Sequence, residues 1–404
     1  MKTPIQLYLH IPFCVKKCDY CDFLSFEADE RTKSEYADAL MREIYYYGAR
    51  MKEYEVSTIF IGGGTPSYLD ERKMCQIMDA LHRSFYIRSD VEVTIECNPG
   101  TLTKEKLQYY QKAGINRLSI GLQSADHEEL QILGRIHTYE QFLQTFIMAR
   151  ESGFENINID LMSGIPYQTT KKFLTTLKKV VRLQPEHISA YSLIVEEGTP
   201  FFERYESDRQ CQEAGLDTKA LPNEEETYAI LKATQEYLKE AGYEQYEISN
   251  FAKKGYECRH NIGYWTRVYY LGMGLGASSM IENVRFSNET DLHNYMESTK
   301  NIQNKDFKQE EPRPVIATTI QKEVKRLLKP AQMEEFMFLG LRMNRGISRK
   351  TFKTLFGTTV EAVYGERLEE LRKKELLNVS EDTIALTDRG MDVANYVMSQ
   401  FLLS

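Results

Sequence analysis

Three cysteines stand within eight positions near the start of the chain, at Cys14, Cys18 and Cys21 in the stretch HIPFCVKKCDYCDF. Thiolates spaced this closely in one loop are typical of a metal site. Three are one short of a closed tetrahedral site, and Phe23 stands where a fourth would continue the pattern. Zinc with His10 as the fourth ligand is one interpretation. The tight spacing favours a second one, an iron–sulfur cluster with one open position.

Other chemistry-bearing motifs follow apolar runs further along the chain. GGGTP contains glycines that let the backbone approach a ligand closely, and it lacks the Lys-Ser/Thr ending of a P-loop. Four later motifs add carboxylate, amide and guanidinium groups, which can hydrogen-bond to a charged nucleoside. These motifs are ECNPG, GLQS, LGR and DLMSGIP. Those polar side chains are Glu96, Gln123, Arg135 and Asp160.

Six apolar runs rich in Ile, Val and Tyr must position these motifs. They alternate with segments of helical periodicity, which predicts a parallel β/α architecture, either doubly wound or an incomplete barrel. The motifs begin where the runs end, and the carboxyl ends of parallel strands form the functional face of such folds. The runs are QLYLHI (6–11), VSTIFIG (56–62), VEVTIEC (91–97), RLSIGLQS (117–124), NINIDLMSG (156–164) and HISAYSLIV (187–195).

The last part of the chain departs from the alternation of apolar runs and helical segments. NIQNKDFKQEEPRPV (301–315) is polar and predicts a linker between a domain of residues 1–300 and a second of residues 316–404. Beyond it, helical segments and a hairpin around LNVSEDTIALT indicate a mostly helical, winged-helix-like domain. Its charges nearly cancel, so we expect a packing or lid role rather than DNA binding.

Composition narrows the class of protein. A net charge of −8 over 404 residues argues against nucleic acid as a partner. The sequence has no run of about 18 apolar residues and no signal-peptide pattern at its start. Seven cysteines, an odd number, suit a reducing compartment. We therefore expect a cytoplasmic protein.

The C-x3-C-x2-C spacing followed by GGGTP resembles the radical S-adenosylmethionine (SAM) superfamily. In that superfamily three cysteines hold a [4Fe–4S] cluster, and the amino and carboxylate groups of SAM chelate the fourth iron. One electron, supplied to the cluster by a donor, then cleaves SAM to methionine and a 5′-deoxyadenosyl radical. The resemblance implies that the open position of the cysteine motif is the place of SAM.

The order of motifs from LYLHIPFC to DLMSGIP is more specific. Over roughly residues 1–290 it resembles the oxygen-independent coproporphyrinogen III oxidase group. The resemblance places the cluster on Cys14, Cys18 and Cys21. It implies SAM-binding roles for Tyr8, Gly63, Gly64, Thr65, Glu96, Gln123, Arg135 and Asp160.

This chain departs from the oxidases in two ways, and with both departures it resembles their HemW branch, a family of heme chaperones. The oxidases carry a fourth cysteine where this chain has Phe23, and they have an extension before the cluster motif. CRHNIGYW (258–265) also resembles the HNxxYW motif of the HemW branch. It implies that His260 binds heme iron, with Cys258 a weaker alternative. By itself, a histidine beside Tyr264 and Trp265 is typical of a hydrogen-bonded core residue.

The sequence therefore predicts a partial (β/α)6 radical SAM barrel with a winged-helix-like C-terminal domain. We expect it to bind heme, a [4Fe–4S] cluster and SAM, and to pass heme to an acceptor protein. A membrane would be met only through that acceptor. Coproporphyrinogen III oxidation is the alternative, which Phe23 and HNIGYW disfavour, and a radical SAM methyltransferase is a third hypothesis. The sequence does not decide whether SAM is cleaved.

Overall fold

A computed structural model of the chain describes residues 2–303 and 320–403. Most of the predicted linker, residues 304–315, lies outside the described residues. Within the described ranges, none of the helices combines the length and the apolar character needed to cross a bilayer.

The strands of the described residues form one sheet of twelve and a second of three. Their bounds are β1 (Thr3–Ile11), β2 (Tyr54–Gly63), β3 (Ile87–Cys97), β4 (Arg117–Gln123), β5 (Ile157–Ser163), β6 (His187–Ser192), β7 (Glu244–Glu247), β8 (Asn250–Ala252), β9 (Tyr269–Met273), β10 (Ser278–Ile281), β11 (Val284–Asn288), β12 (Gln321–Arg326), β13 (Ile347–Ser348), β14 (Leu377–Val379) and β15 (Thr383–Leu386).

Helices connect most of these strands, and a short 3-10 helix, Pro66–Tyr68, follows β2. The α-helices are α1 (Glu30–Arg50), α2 (Glu71–Ser84), α3 (Lys104–Lys112), α4 (His127–Ile132), α5 (Tyr139–Glu151), α6 (Thr170–Val181), α7 (Pro200–Glu213), α8 (Glu224–Glu240), α9 (Arg259–Trp265), α10 (Leu292–Gln303), α11 (Lys329–Gly340), α12 (Arg349–Phe356), α13 (Val360–Lys373), α14 (Asp388–Asp392) and α15 (Ala394–Ser399).

The large sheet has the order β12-β11-β10-β9-β1-β2-β3-β4-β5-β6-β8-β7. From β9 through β1 to β6 all neighbours pair in parallel, and the flanking strands are antiparallel. All six predicted runs fall on β1–β6, so the predicted partial barrel is confirmed. Strand β4 is buried along its whole length, as expected of a parallel strand covered on both faces.

The C-terminal domain has the element order α11, β13, α12, α13, β14, β15, that of a winged helix. The predicted hairpin is confirmed as β14 and β15, which pair antiparallel. The domain has its own apolar core and rests against the barrel. At this seam Glu335 of α11 pairs with Arg267 and Arg285 at 3.3 and 3.0 Å, and Arg342 lies over the ring of Trp265.

Candidate functional site

A pocket of about 410 Å³ opens at the carboxyl ends of β1–β6. The parallel strands all end on this side, so residues far apart in sequence meet there. The pocket wall includes ten of the twelve site residues predicted from the sequence. They are Cys14, Cys18, Cys21, Gly63, Gly64, Thr65, Glu96, Gln123, Arg135 and Asp160.

The loop after β1 carries the three thiols into this pocket. Cys14 is buried, and burial is the main cause of the raised pKa of its thiol. The Thr65 hydroxyl donates to Cys14 Sγ at 3.6 Å, and Arg135 Nη1 donates to Cys18 Sγ at the same distance. A Cβ on Gly64 would lie 2.9 Å from Cys14 Sγ, so the glycine motif must remain bare beside the thiol. Thiols with adjacent donors fit thiolate ligation of a cluster.

No three His, Cys, Asp or Glu side chains in the described ranges already converge on a single metal ion. The thiolates of a [4Fe–4S] cluster bind different irons, so they stand farther apart than the ligands of one ion. His10, the fourth ligand of the zinc interpretation, uses both ring nitrogens elsewhere. They lie 3.1 Å from the Tyr8 hydroxyl and 2.8 Å from the Leu24 carbonyl oxygen.

Asn98 is a pocket residue that the sequence reasoning did not select. Its Nδ2 donates to Thr65 Oγ1 and its Oδ1 accepts from Arg135 Nη2, both at 2.7 Å. Asn98 therefore links the glycine loop to the guanidinium that contacts Cys18. Its position in ECNPG, directly after β3, was the signal that could have revealed it.

Two carboxylates, those of Glu96 and Asp160, line the pocket close enough for their charges to interact. Burial, and secondly the negative charge of Asp160, raise the pKa of Glu96 to about 8. Glu96 accepts one hydrogen bond, from the Gly63 N–H at 3.1 Å. Asp160 accepts from Ser119 at 3.0 Å and Asn158 at 2.8 Å. Such a pair suits a cationic ligand with hydroxyl groups, which is the chemistry of SAM.

Gln123 reaches the pocket through an unusual backbone. It has a φ of 67°, and the register between β4 and β5 shifts between Gly121 and Gln123. A bulge of this kind redirects a side chain at a strand end. The Tyr191 hydroxyl donates to Gln123 Oε1 at 2.9 Å and holds the amide against the pocket wall.

The affinity for SAM should depend on pH through Glu96. Below its pKa of about 8 a bound cation must displace a proton from this carboxyl, so affinity should rise from pH 6.0 to 8.0 and then level off. The slope can reach about tenfold per pH unit, the limit for release of one proton. Equilibrium dialysis with labelled SAM measures it. Glu96→Gln should flatten the profile, and an unchanged slope in that variant would contradict this role.

The two remaining predicted residues lie outside the pocket wall. Tyr8 is partly buried, with its hydroxyl 3.1 Å from His10 Nδ1 and its ring 6.4 Å from that of Phe60. His260 lies at the opposite end of the barrel and is 1% exposed. Its Nδ1 is 2.8 Å from the Thr58 hydroxyl and its Nε2 is 3.1 Å from the Tyr264 hydroxyl. The structure therefore does not bring His260 to the pocket.

The HNIGYW segment forms α9, which closes the amino-terminal end of the barrel. Gln6 on β1 donates to the His260 carbonyl oxygen at 2.9 Å, and a Cβ on Gly263 would come within 2.3 Å of the Gln6 side chain. Glu92 on β3 accepts from the N–H groups of Arg259 and His260, both at 3.1 Å. Thus α9 is a tightly seated plug of the barrel.

Comparison with known proteins defines the class. Residues 8–180 match the family model of the radical SAM superfamily, and residues 327–393 match that of the HemN C-terminal domain. The solved structure of the radical SAM enzyme coproporphyrinogen III oxidase (HemN) from Escherichia coli superposes with a TM-score of 0.81. The superposition covers 100% of this chain and 91% of the HemN chain, and the two sequences are 24% identical. A likeness at this identity shows the fold alone. Fold and motif match together define a radical SAM protein.

Curated relatives refine this class. The heme chaperone HemW of Bacillus subtilis (strain 168) is 36% identical over 98% of both chains. Those of Lactococcus lactis and E. coli K12 are 33% and 38% identical over 100% and 69% of this chain, and over 98% and 70% of their own. The chain belongs to the HemW heme chaperone family.

Proposed function

We propose that this chain is a cytoplasmic heme chaperone that passes bound heme to an acceptor protein. It would hold a [4Fe–4S] cluster on Cys14, Cys18 and Cys21 and bind SAM in the adjoining pocket. The observation that carries the proposal is the similarity to a protein named heme chaperone over 98% of both chains. The gathering of three thiols and two carboxylates in one pocket supports the cofactor set.

Different residues of this pocket would bind SAM, allow its close approach and offset the charge of the thiolates. SAM bound there would supply a sulfonium, which one electron passed from a donor through the cluster could cleave. Glu96 and Asp160 would hold the amino and hydroxyl groups of SAM by charge-assisted hydrogen bonds. The bare backbone at Gly63 and Gly64 would let the ligand approach the cysteine loop. Arg135, beside Cys18, would offset the negative charge of the thiolates.

A larger cavity of about 1390 Å³ adjoins the pocket and shares five residues with it, among them Leu193 and Ile194. Its wall mixes apolar side chains with carboxylates, and Arg209 is its sole cationic lining residue among those described. Coproporphyrinogen III has more propionate groups than heme, so this wall disfavours it more strongly. If a tetrapyrrole binds in this cavity, the acidic lining favours heme over coproporphyrinogen III. Its carboxylates are Asp22, Glu196, Glu197, Glu213, Asp217, Glu224, Glu225 and Asp392.

The proposal has a direct test in paired assays on reconstituted protein. Heme titration should show saturable binding at one site by its Soret absorbance. Anaerobic incubation with coproporphyrinogen III, SAM and dithionite should yield no product. Protoporphyrinogen with matching release of carbon dioxide would instead establish the oxidase, and absence of saturable heme binding would remove the chaperone function.

Binding of heme iron by His260 remains a prediction, and it requires α9 to move away from the end of the barrel. Two variants separate ligation from structure. His260→Gln removes the imidazole, whereas Thr58→Val keeps the imidazole and removes the Thr58 hydroxyl, which contacts His260 Nδ1 and accepts from Gln6. If His260 binds iron, the heme spectrum should change in His260→Gln and persist in Thr58→Val. Equal changes in both variants would show that unseating of α9 is the cause, and unchanged spectra would place the ligand elsewhere.

A further inference from the structure

A continuous line of buried hydrogen bonds crosses the barrel interior from the pocket to the plug α9. Asn158 Nδ2 lies 2.8 Å from Asp160 Oδ1, and Asn158 Oδ1 lies 2.6 Å from His187 Nδ1. His187 Nε2 lies 2.9 Å from the Tyr246 hydroxyl, which is 3.3 Å from the backbone N–H of Cys258. These five residues, from β5, β6 and β7 and the N-cap of α9, are called the relay below.

The donor and acceptor atoms of the relay allow only one direction for its hydrogen bonds. Asn158 Oδ1 only accepts, so Nδ1 of His187 must carry the hydrogen. In a neutral imidazole Nε2 then accepts, and it must receive the Tyr246 hydroxyl hydrogen. The Tyr246 oxygen in turn accepts the Cys258 N–H. Every hydrogen bond therefore points from α9 towards the Asp160 carboxylate, which is the final acceptor.

The surroundings hold His187 in the required neutral state. Burial, and secondly the positive charge of Arg117, lower the pKa of His187 well below its usual value. Arg117 itself is 2% exposed, and its Nε has no hydrogen-bond partner in the described part of the chain. A charged imidazolium beside this guanidinium would be strongly disfavoured. The direction of the relay is therefore stable across the working pH range.

Both ends of the relay meet functional parts of the molecule. Asp160 lines the pocket proposed for SAM. Cys258 is the N-cap of α9. The backbone of Tyr246 also accepts a hydrogen bond from the N–H of Asn344 at 3.0 Å, and Tyr246 packs with Met343 in one apolar cluster. The relay thus begins where the C-terminal domain meets the barrel.

We propose that His187 and Tyr246 are positioning residues that orient the Asp160 carboxylate for SAM and couple the pocket to the seating of α9. The inference rests on the proposed SAM site and assigns the HNIGYW helix a second role, that of an anchor. Coupling between two sites is reciprocal. Occupation of the pocket should therefore tighten α9, and loosening of α9 should weaken the pocket.

Tyr246→Phe provides the test, because it breaks the relay while keeping the ring. Tyr243→Phe is its matched control, since Tyr243 is also buried and donates to the Pro185 carbonyl oxygen at 2.7 Å outside the relay. SAM affinity should fall about 3- to 10-fold in Tyr246→Phe, the range for one buried hydrogen bond, and should be unchanged in Tyr243→Phe. In an Asp160→Ala background Tyr246→Phe should add no further loss.

Hydrogen exchange of the α9 amides gives a second readout that works without SAM. Asp160→Ala should speed exchange at Cys258 and His260 several-fold, whereas Glu96→Ala, in the same pocket but outside the relay, should not. If the wild type fails to bind SAM, the cofactor proposal fails while this comparison still tests the relay. Equal exchange in both variants, or equal SAM affinity in Tyr246→Phe and Tyr243→Phe, would overturn the relay.

Discussion

Replacement of Cys14, Cys18 or Cys21 by alanine should abolish the iron–sulfur cluster. We expect about four irons per chain in the anaerobically reconstituted wild type, the content of a [4Fe–4S] cluster, and less than a tenth of that in each variant. Each thiolate would bind a separate iron, and the two ligands left in a variant would not retain a cubane. Iron and sulfide analysis, with the broad charge-transfer absorbance, measures the loss.

Cys211→Ala is the matched control for this series. Cys211 is a free and partly buried cysteine of α7, like Cys18 and Cys21 in exposure, but it lies outside the pocket. Its replacement should leave the iron content unchanged. Equal iron in all four variants, or zinc in place of iron and sulfide, would refute the cluster.

Asp160→Ala should weaken SAM binding about 10- to 100-fold. The carboxylate is the acceptor of two side chains that fix its orientation, and a charge-assisted hydrogen bond contributes roughly 1.5–3 kcal/mol. Asp160 has no hydrogen bond to the cysteine loop, so iron content should be preserved. Isothermal titration of the reconstituted protein measures the affinity.

The control for this variant is Asp79→Ala, which removes an exposed carboxylate of α2. It should bind SAM as the wild type does. Ser119→Ala should have an intermediate effect, because it removes one of the two hydrogen bonds to Asp160. Wild-type affinity in Asp160→Ala would place the SAM pocket elsewhere on the barrel.

Most residues of the pocket could be predicted from the sequence, because they either share one loop or stand at the end of an apolar strand. The cysteines share one loop, and GGGTP, ECNPG and DLMSGIP each end a strand that is an apolar run in the sequence. Parallel strands covered on both faces need such continuous apolar runs, and their carboxyl ends necessarily meet at one edge. Strand positions alone therefore predicted that Glu96 and Asp160 would share a pocket.

Only the tertiary structure decided which polar side chains face each other. Asn98 links Thr65 to Arg135 because two strand ends lie side by side, a relation that its position in the sequence does not express. The surroundings of His260 were equally beyond the sequence. A histidine among aromatic residues has the same pattern whether its ring faces a ligand or a barrel interior. Packing of α9 against β2 places His260 Nδ1 on the Thr58 hydroxyl, and Nε2 meets the Tyr264 hydroxyl of α9 itself, because a buried imidazole requires partners for its polar atoms.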